Sequence, residues 1–317
     1  MPKIVALHKL SQEEQNRITE AAQGYELVVG KYKELPSGTV SSADIVLGWT
    51  KDAQEEALQE NSRVRWIQVW SAGVDKLPLQ DFKARGIQLT NASGVHSIPI
   101  TEHIFSLMLA FNRNLHRAIE GQSSHQWIKG GDFRELSGKT AVIIGVGHIG
   151  SAAAKAAQAF GMRTIGVRRS GKPDPYIDDM MTTDKLNDAL AQGDYCINIL
   201  PLTDETKGLF NKDRFAAMKK GAFFVNVGRG PSVVTSALVE ALQSGHLAGA
   251  GLDVFEEEPL PADHPLWDMQ QVIMTPHTAG DTVHYNERIM DIFIDNLKAY
   301  ADEKPLPRNV IDYERAY

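Results

Sequence analysis

Thr140-Ala141-Val142-Ile143-Ile144-Gly145-Val146-Gly147-His148-Ile149-Gly150 is the stretch on which the fold turns. An apolar, strand-forming run leads into a G-x-G-x-x-G pattern, an Ala-rich segment from Ser151 to Phe160 follows, and a second β-rich run, Thr164–Val167, comes next. The glycine spacing alone is weak evidence, but between a strand and a helix it is a dinucleotide-binding signature. Gly145 permits the tight turn, Gly147 lets the backbone approach a pyrophosphate, and Gly150 allows close packing of helix on strand. His148 and Ile149 open the helix, whose N-terminus offers free N–H groups and a positive dipole end to phosphate.

The end of the second strand bears on which dinucleotide is bound. An NAD site usually places Asp or Glu there, about 20 residues beyond the glycines, to hold the ribose hydroxyls. Here the residues are Val167-Arg168-Arg169-Ser170, with no acid. Two guanidiniums and a hydroxyl suit a phosphate dianion, so NADP(H) is the preferred cofactor and NAD(H) the alternative.

Outward from this unit, strand-like and helix-like segments alternate, the pattern of parallel α/β architecture. Further strands are expected at Tyr195–Leu200, Ala222–Asn226, Gly249–Val254 and Gln271–Met274, with helices at Lys212–Met218 and Ser232–Gln243. With Ala141–Ile144 and Arg163–Val167 these make a six-stranded doubly wound sheet. A separate series of short β-rich runs fills the first third: Lys3–Leu7, Glu26–Val29, Asp44–Trp49, Trp66–Trp70 and Ile87–Leu89. Ser11 and Glu14 have the spacing of a capping box at the start of a helix. Two amphipathic stretches, Ile98–Arg117 and Val283–Tyr300, bracket the second series, and Leu306–Asp312 reads as one more extended segment. An insertion of the second sheet into the first domain would explain the bracketing; contiguous domains are the alternative.

Composition bounds the function. The 317 residues suffice for two cores, and 43% hydrophobic with 23% charged residues is the balance of a folded globular chain. A net charge of −7 without a basic tract argues against a nucleic-acid partner. Cys196, the sole cysteine, lies in an apolar run and reads as a buried thiol; no metal-ligand cluster is apparent. The apolar run at Lys3–Leu7 is too short for a secretory segment, and Ile104 to Phe111 falls well short of the ~20 residues that span a bilayer. A cytoplasmic protein with no membrane partner is expected.

Three segments, each after an expected strand, carry reactive side chains to the carboxyl edge of the second sheet, where open α/β folds bind ligands. They are Val225-Asn226-Val227-Gly228-Arg229-Gly230, Leu252-Asp253-Val254-Phe255-Glu256-Glu257-Glu258-Pro259 and Thr275-Pro276-His277-Thr278-Ala279-Gly280. Together with the loop Ser71-Ala72-Gly73-Val74-Asp75 and the segment Thr101-Glu102-His103, they make the chain resemble the D-isomer-specific 2-hydroxyacid dehydrogenases. That family includes glyoxylate/hydroxypyruvate reductases and phosphoglycerate dehydrogenases, and the likeness covers nearly the whole length. It implies two doubly wound parallel-sheet domains, a Rossmann cofactor domain at 99–280 inserted into a flavodoxin-like substrate domain at 1–98 and 281–317.

The chemistry suits these residues. Reducing a 2-oxo acid needs a cation for the substrate carboxylate and a proton donor for the developing alkoxide. Arg229 can fork onto the carboxylate and polarise the carbonyl. His277 can give the proton in reduction and take it in oxidation, and Glu258 can hold the imidazolium. The resemblance adds further roles. It implies that Ala72 and Gly73 offer backbone N–H groups to the carboxylate and that Asp253 meets the nicotinamide amide. It also implies that Leu200, Pro201 and Thr206 line the cofactor, with Val227, Gly228 and Gly280 counted among its contacts. A homodimer is expected, with the segment Gly121–Leu136, including Trp127, as an arm towards the partner. Trp70 either narrows the substrate pocket or belongs to the core. A small 2-oxo or 2-hydroxy acid is the expected substrate; phosphoglycerate, or an NAD(P)H-binding regulatory role without turnover, are the alternatives.

Overall fold

The computed structural model describes residues 1–74 and 76–313. Asp75 of the loop quoted above, and residues 314–317 at the end of the expected substrate domain, lie outside the described residues. The chain divides into two compact units, Met1–Val95 with Val283–Tyr317, and His96–Thr282.

The first unit is built on β1 (Lys3–Ala6), β2 (Glu26–Val29), β3 (Ile45–Leu47), β4 (Trp66–Gln68) and β5 (Gln88–Thr90). All pair in parallel in the order β2-β1-β3-β4-β5, the flavodoxin-like arrangement. A sheet with both faces covered needs apolar residues at successive positions, and these strands have them. Ile4, Ala6, Ile45 and Leu47 join one cluster with Ile18, Phe293 and Leu297, while Val5, Val46 and Ile67 join another with Val40 and Phe82. The helix α1 (Gln12–Ala21) begins at the expected capping box, and α2 (Gln54–Leu58) and α3 (Leu79–Ala84) follow in the same unit. The Glu14 N–H donates to Ser11 Oγ at 3.2 Å and the Ser11 N–H to Glu14 Oε2 at 2.7 Å, an arrangement that stabilises a helix by about 1 kcal/mol. The expected extended segment Leu306–Asp312 meets the sheet through a single antiparallel bridge, Thr90 with Val310, and the sheet's last strand is β5.

The second unit carries seven parallel strands: β6 (Thr140–Ile144), β7 (Arg163–Val167), β8 (Asp179–Met181), β9 (Tyr195–Asn198), β10 (Ala222–Asn226), β11 (Leu247–Leu252) and β12 (Val272–Met274). Their order, β12-β11-β10-β9-β6-β7-β8, is the Rossmann order with one strand added at the far edge. The chain reverses its direction of growth between β6 and β9, the point at whose carboxyl ends open α/β sheets bind their ligands. The strand beyond the expected six is β8, and the expected amphipathic stretch Ile98–Arg117 is two helices, α4 (Ser97–Asn112) and α5 (Leu115–Ser123). Asn114 breaks it by taking a left-handed φ of 53°, a conformation Asn tolerates better than most residues. Cys196 is fully buried in β9, and burial pushes its thiol up to about 12, with Asp194 adding to the shift. Among the described residues, no helix is long and apolar enough to cross a membrane, and no group of three or more His, Cys, Asp or Glu is placed to hold a metal.

Candidate active site

The glycines after β6 separate by function. Gly145 has a φ of +104°, and its N–H donates to Val167 O at 2.9 Å, tying the turn to the end of β7. A Cβ on Gly150 would stand 2.5 Å from Gly145 O, so the helix α6 (His148–Ala159) can sit this close to the turn only with glycine there. A Cβ on Gly147 would meet nothing within 4 Å. Its bare backbone caps α6 with exposed His148 beside it, leaving room for a phosphate at the helix N-terminus. The turn therefore fits the pyrophosphate of a dinucleotide.

At the end of β7 the two arginines differ. Arg168 is half-buried, and its guanidinium donates to Val146 O at 3.2 Å, to Pro173 O at 2.8 Å and to Lys172 O, while its Nε is buried without a partner. It ties the glycine turn to the loop beyond the strand. Arg169 and Ser170 are exposed, and Ser170 Oγ accepts the Lys172 N–H at 3.3 Å.

Arg229 sits on a turn fixed from below by a polar network the sequence reading missed. Asn198 Nδ2, at the end of β9, donates to Asn226 Oδ1 at 2.9 Å and to Ser232 Oγ at 2.8 Å. Ser232 Oγ donates to Arg229 O at 2.6 Å, and the Gly228 N–H donates to Asn226 Oδ1 at 3.2 Å. All three polar residues are buried, where each hydrogen bond is costly to leave unmade. Gly228 is pressed so closely to the β9 loop that a Cβ would lie 2.6 Å from Leu200 O. Val227 is buried beside it, and the Arg229 side chain is exposed, its Nη1 donating to Gly228 O at 2.8 Å. In the neighbouring loop Thr206 Oγ1 donates to Pro201 O at 2.7 Å and accepts the Thr203 N–H at 2.8 Å.

Glu258 and His277 meet directly. Glu258 Oε2 lies 2.7 Å from His277 Nδ1, and Oε1 accepts the Phe255 N–H at 2.9 Å. An ionised carboxylate only accepts, so Nδ1 carries the hydrogen and Nε2 is left for proton exchange. His277 is half exposed and its backbone is left-handed, φ 57°, a strained conformation for a residue with a Cβ. Asp253 holds that conformation. Its backbone O accepts the His277 N–H at 2.8 Å, and its buried carboxylate accepts the N–H groups of Thr278 at 2.9 Å and Ala279 at 3.0 Å. Thr275 Oγ1 also donates to Asp253 Oδ1, at 2.6 Å. Gly280 closes the turn, its O 3.0 Å from His96 Nδ1.

Arg229, Glu258 and His277 thus all belong to the second unit, as do the glycine turn and the arginines after β7. Ala72 and Gly73 belong to the first. Asn91 Nδ2 donates to Ala72 O at 2.6 Å and Ser71 Oγ to Gly73 O at 2.7 Å, so both of the loop's carbonyls accept from side chains of the same unit. Trp70, just before it, is half-buried and stacks on His8 with ring centroids 4.6 Å apart. Trp127 is 88% exposed, in an irregular stretch that begins after α5.

A doubly wound sheet with a G-x-G-x-x-G turn at its switch point, and Arg, Glu and His at the same edge, defines an oxidoreductase that uses a nicotinamide dinucleotide. The chain belongs to the D-isomer specific 2-hydroxyacid dehydrogenase family, whose NAD binding domain profile matches residues 105–279. Among curated proteins it is similar to a glyoxylate reductase of Thermofilum pendens, 35% identical over 257 residues that cover 79% of this chain and 76% of the relative. A glyoxylate reductase of Aeropyrum pernix is 36% identical over 270 residues, 82% of this chain and 79% of the relative. Among solved structures, a D-isomer specific 2-hydroxyacid dehydrogenase from Xanthobacter autotrophicus, in complex with NADPH and MES, aligns with a TM-score of 0.80 at 26% identity. That alignment covers 100% of this chain and 99% of the other.

Proposed function

We propose that this enzyme reduces a small 2-oxo acid to the D-2-hydroxy acid, and catalyses the reverse oxidation, with NADP(H) as its preferred cofactor. The observation that carries the reading is the 2.7 Å contact between Glu258 and His277 Nδ1, on the same sheet edge as Arg229. Arg229 binds the substrate carboxylate through its planar guanidinium and draws electron density from the 2-oxo group. His277 delivers a proton from Nε2 to the carbonyl oxygen as it becomes an alkoxide, and retrieves it in the oxidative direction. Glu258 orients the imidazole and balances its positive charge. Ala72 and Gly73 offer backbone N–H groups to the same carboxylate. The bound nicotinamide supplies the hydride in reduction and takes it up in oxidation.

Gly145, Gly147, His148, Ile149 and Gly150 would hold the pyrophosphate, and Leu200, Pro201, Thr206, Val227, Gly228, Asp253 and Gly280 would surround the nicotinamide half. The missing acid after β7 and the exposed Arg169 and Ser170 favour a 2′-phosphate, with Arg168 shaping the loop that presents them. The NADPH in the Xanthobacter relative is consistent with this preference. Exposed Trp127 and Phe133 support a dimer in which this segment meets a second copy.

Oxidation of NADPH and of NADH should be followed with glyoxylate, hydroxypyruvate, pyruvate and phenylpyruvate. Turnover of at least one acid, faster with NADPH, is the expected result. No turnover with any of them, while NADPH still binds, would instead favour a regulatory NADPH-binding role.

A further inference from the structure

We propose that His103 is a positioning residue for His277, acting through Thr275 and Asp253; this rests on the reading of His277 as the proton donor. His103 Nε2 lies 2.8 Å from Thr275 Oγ1 and 3.7 Å from Asp253 Oδ1. The single hydroxyl proton of Thr275 goes to the Asp253 carboxylate at 2.6 Å, so Thr275 Oγ1 must accept from His103, and Nε2 of His103 carries hydrogen. A directed chain results: His103 donates to Thr275, and Thr275 donates to Asp253. The same carboxylate clamps the N–H groups of Thr278 and Ala279 on the far side of the strained His277.

The packing of α4 on β11 shows why residue 103 reaches this point. A Cβ on Gly249 would lie 2.6 Å from Phe111 Cε2, and one on Gly251 would lie 2.9 Å from Leu107 Cβ. Residues 111, 107 and 103 follow one another at four-residue spacing on a single helix face, about 6 Å per step. Gly249 and Gly251 lie on one face of β11, and Asp253, one residue past its end, follows at the same two-residue spacing, about 6.6 Å per step. The two ladders stay in register, pairing Phe111 with Gly249, Leu107 with Gly251 and His103 with Asp253. The first two pairs seat an apolar side chain on a glycine. At the third the helix carries an imidazole where an apolar residue would continue the stripe, and the residue just past the strand carries a buried carboxylate. Helix and strand thus set the height at which His103 completes the polar chain under His277.

His103→Leu continues the stripe and removes the donor, whereas His103→Gln keeps an N–H donor. In His103→Leu, kcat should fall at least tenfold, with KM for NADPH within threefold of the parent and the melting temperature within a few degrees. His103→Gln should return kcat to within threefold of the parent. Deuterium exchange at the amides of Thr278 and Ala279 should quicken at least tenfold in His103→Leu, a readout that needs no substrate. A kcat within twofold of the parent in His103→Leu, a loss that Gln does not restore, or unchanged amide exchange would overturn the proposal. His277→Ala belongs in the same series: if it alone is inactive while His103→Leu is normal, only the role of His103 falls. If His277→Ala turns over normally, the proton-donor reading falls and the positioning role with it.

Discussion

Glu258 divides its two oxygens between His277 and the backbone of its own loop: Oε2 lies 2.7 Å from His277 Nδ1, and Oε1 accepts the Phe255 N–H at 2.9 Å. A carboxylate held at both ends cannot rotate away from the imidazole without losing a hydrogen bond. The Phe255 backbone also presses on the turn that carries Arg229, for a Cβ on Gly230 would overlap Phe255 O at 1.7 Å. The cation, the carboxylate and the imidazole therefore come from three loops in mechanical contact, and a displacement of one is felt by the others. Preorganisation of this kind lets a site act on the transition state without reorganising during the reaction.

His277→Ala should lower kcat by roughly 10²–10⁴, the usual worth of a positioned acid–base group, while the dissociation constant for NADPH stays within a few-fold. Glu258→Gln keeps the shape but replaces the accepting carboxylate by an amide, so the imidazolium loses its counter-charge. A smaller fall, on the order of tenfold to a hundredfold, is expected in kcat. Steady-state kinetics beside fluorescence titration of NADPH separates the two quantities. Equal losses in kcat and in NADPH affinity would mean that His277 supports the cofactor rather than the proton transfer.

The glycines of the turn should respond in opposite ways. Gly150→Ala places a methyl 2.5 Å from Gly145 O, a backbone atom that cannot yield easily, and should cost about 1–3 kcal/mol of stability. Gly147→Ala meets nothing within 4 Å and should melt as the parent does. Its methyl stands where the pyrophosphate must approach, so KM for the cofactor should rise at least tenfold. Thermal melting and cofactor kinetics on both variants test the assignment; a destabilised Gly147→Ala with unchanged KM would contradict it.

What the sequence made legible was local. The glycine turn, most strand positions of both sheets, and the Arg, Glu and His segments each announce themselves within a few residues of chain. The strand β8 did not, because Asp179-Met180-Met181 is three residues long and lacks the β-branched side chains that mark a strand. Nor did the break at Asn114, since one left-handed residue leaves the apolar periodicity on either side intact. The supports of the site were hidden for another reason. Asn198, Asn226 and Ser232 lie up to 34 residues apart, and Asp253 reaches Ala279 across 26, so no window of sequence contains both partners. Asn198 and Asn226 did leave a trace: each is a polar residue at the last position of an apolar strand, where a buried side chain must find a partner.

Stability should also depend on pH through Asp178. Hydrogen bonds from the Thr164 backbone, with further help from its hydroxyl and from Gln158, hold this carboxyl below its ordinary value of 3.8. A carboxyl depressed by folding stabilises the fold above that ordinary value, and the contribution is lost as pH falls through the lower, folded-state value. Asp178 is exposed, so solvent screens much of the effect. Asp178→Asn should melt roughly 2–4 °C below the parent at pH 7, and the gap should narrow as pH falls below 3.8. A gap that persists undiminished in acid would trace the loss to packing instead of charge.

The two arginines after β7 should separate in cofactor binding, because Arg168 is half-buried in the turn and loop beside it while Arg169 is exposed. The Arg168 guanidinium holds Val146 O, Lys172 O and Pro173 O, joining the glycine turn to the loop beyond the strand. Arg168→Ala releases both, and affinity for NADPH and NADH should fall together. Arg169 is exposed beside Ser170, so Arg169→Ala removes a cation without loosening that tie. A hydrogen bond to a charged group contributes about 1.5–3 kcal/mol, which corresponds to a loss of roughly tenfold to a hundredfold in NADPH affinity. NADH, which lacks the 2′-phosphate, should change less than threefold. Fluorescence titration of both cofactors against both variants gives the four numbers required. If Arg169→Ala weakens NADH as much as NADPH, the residue serves the dinucleotide at large and the NADP(H) preference loses its structural basis.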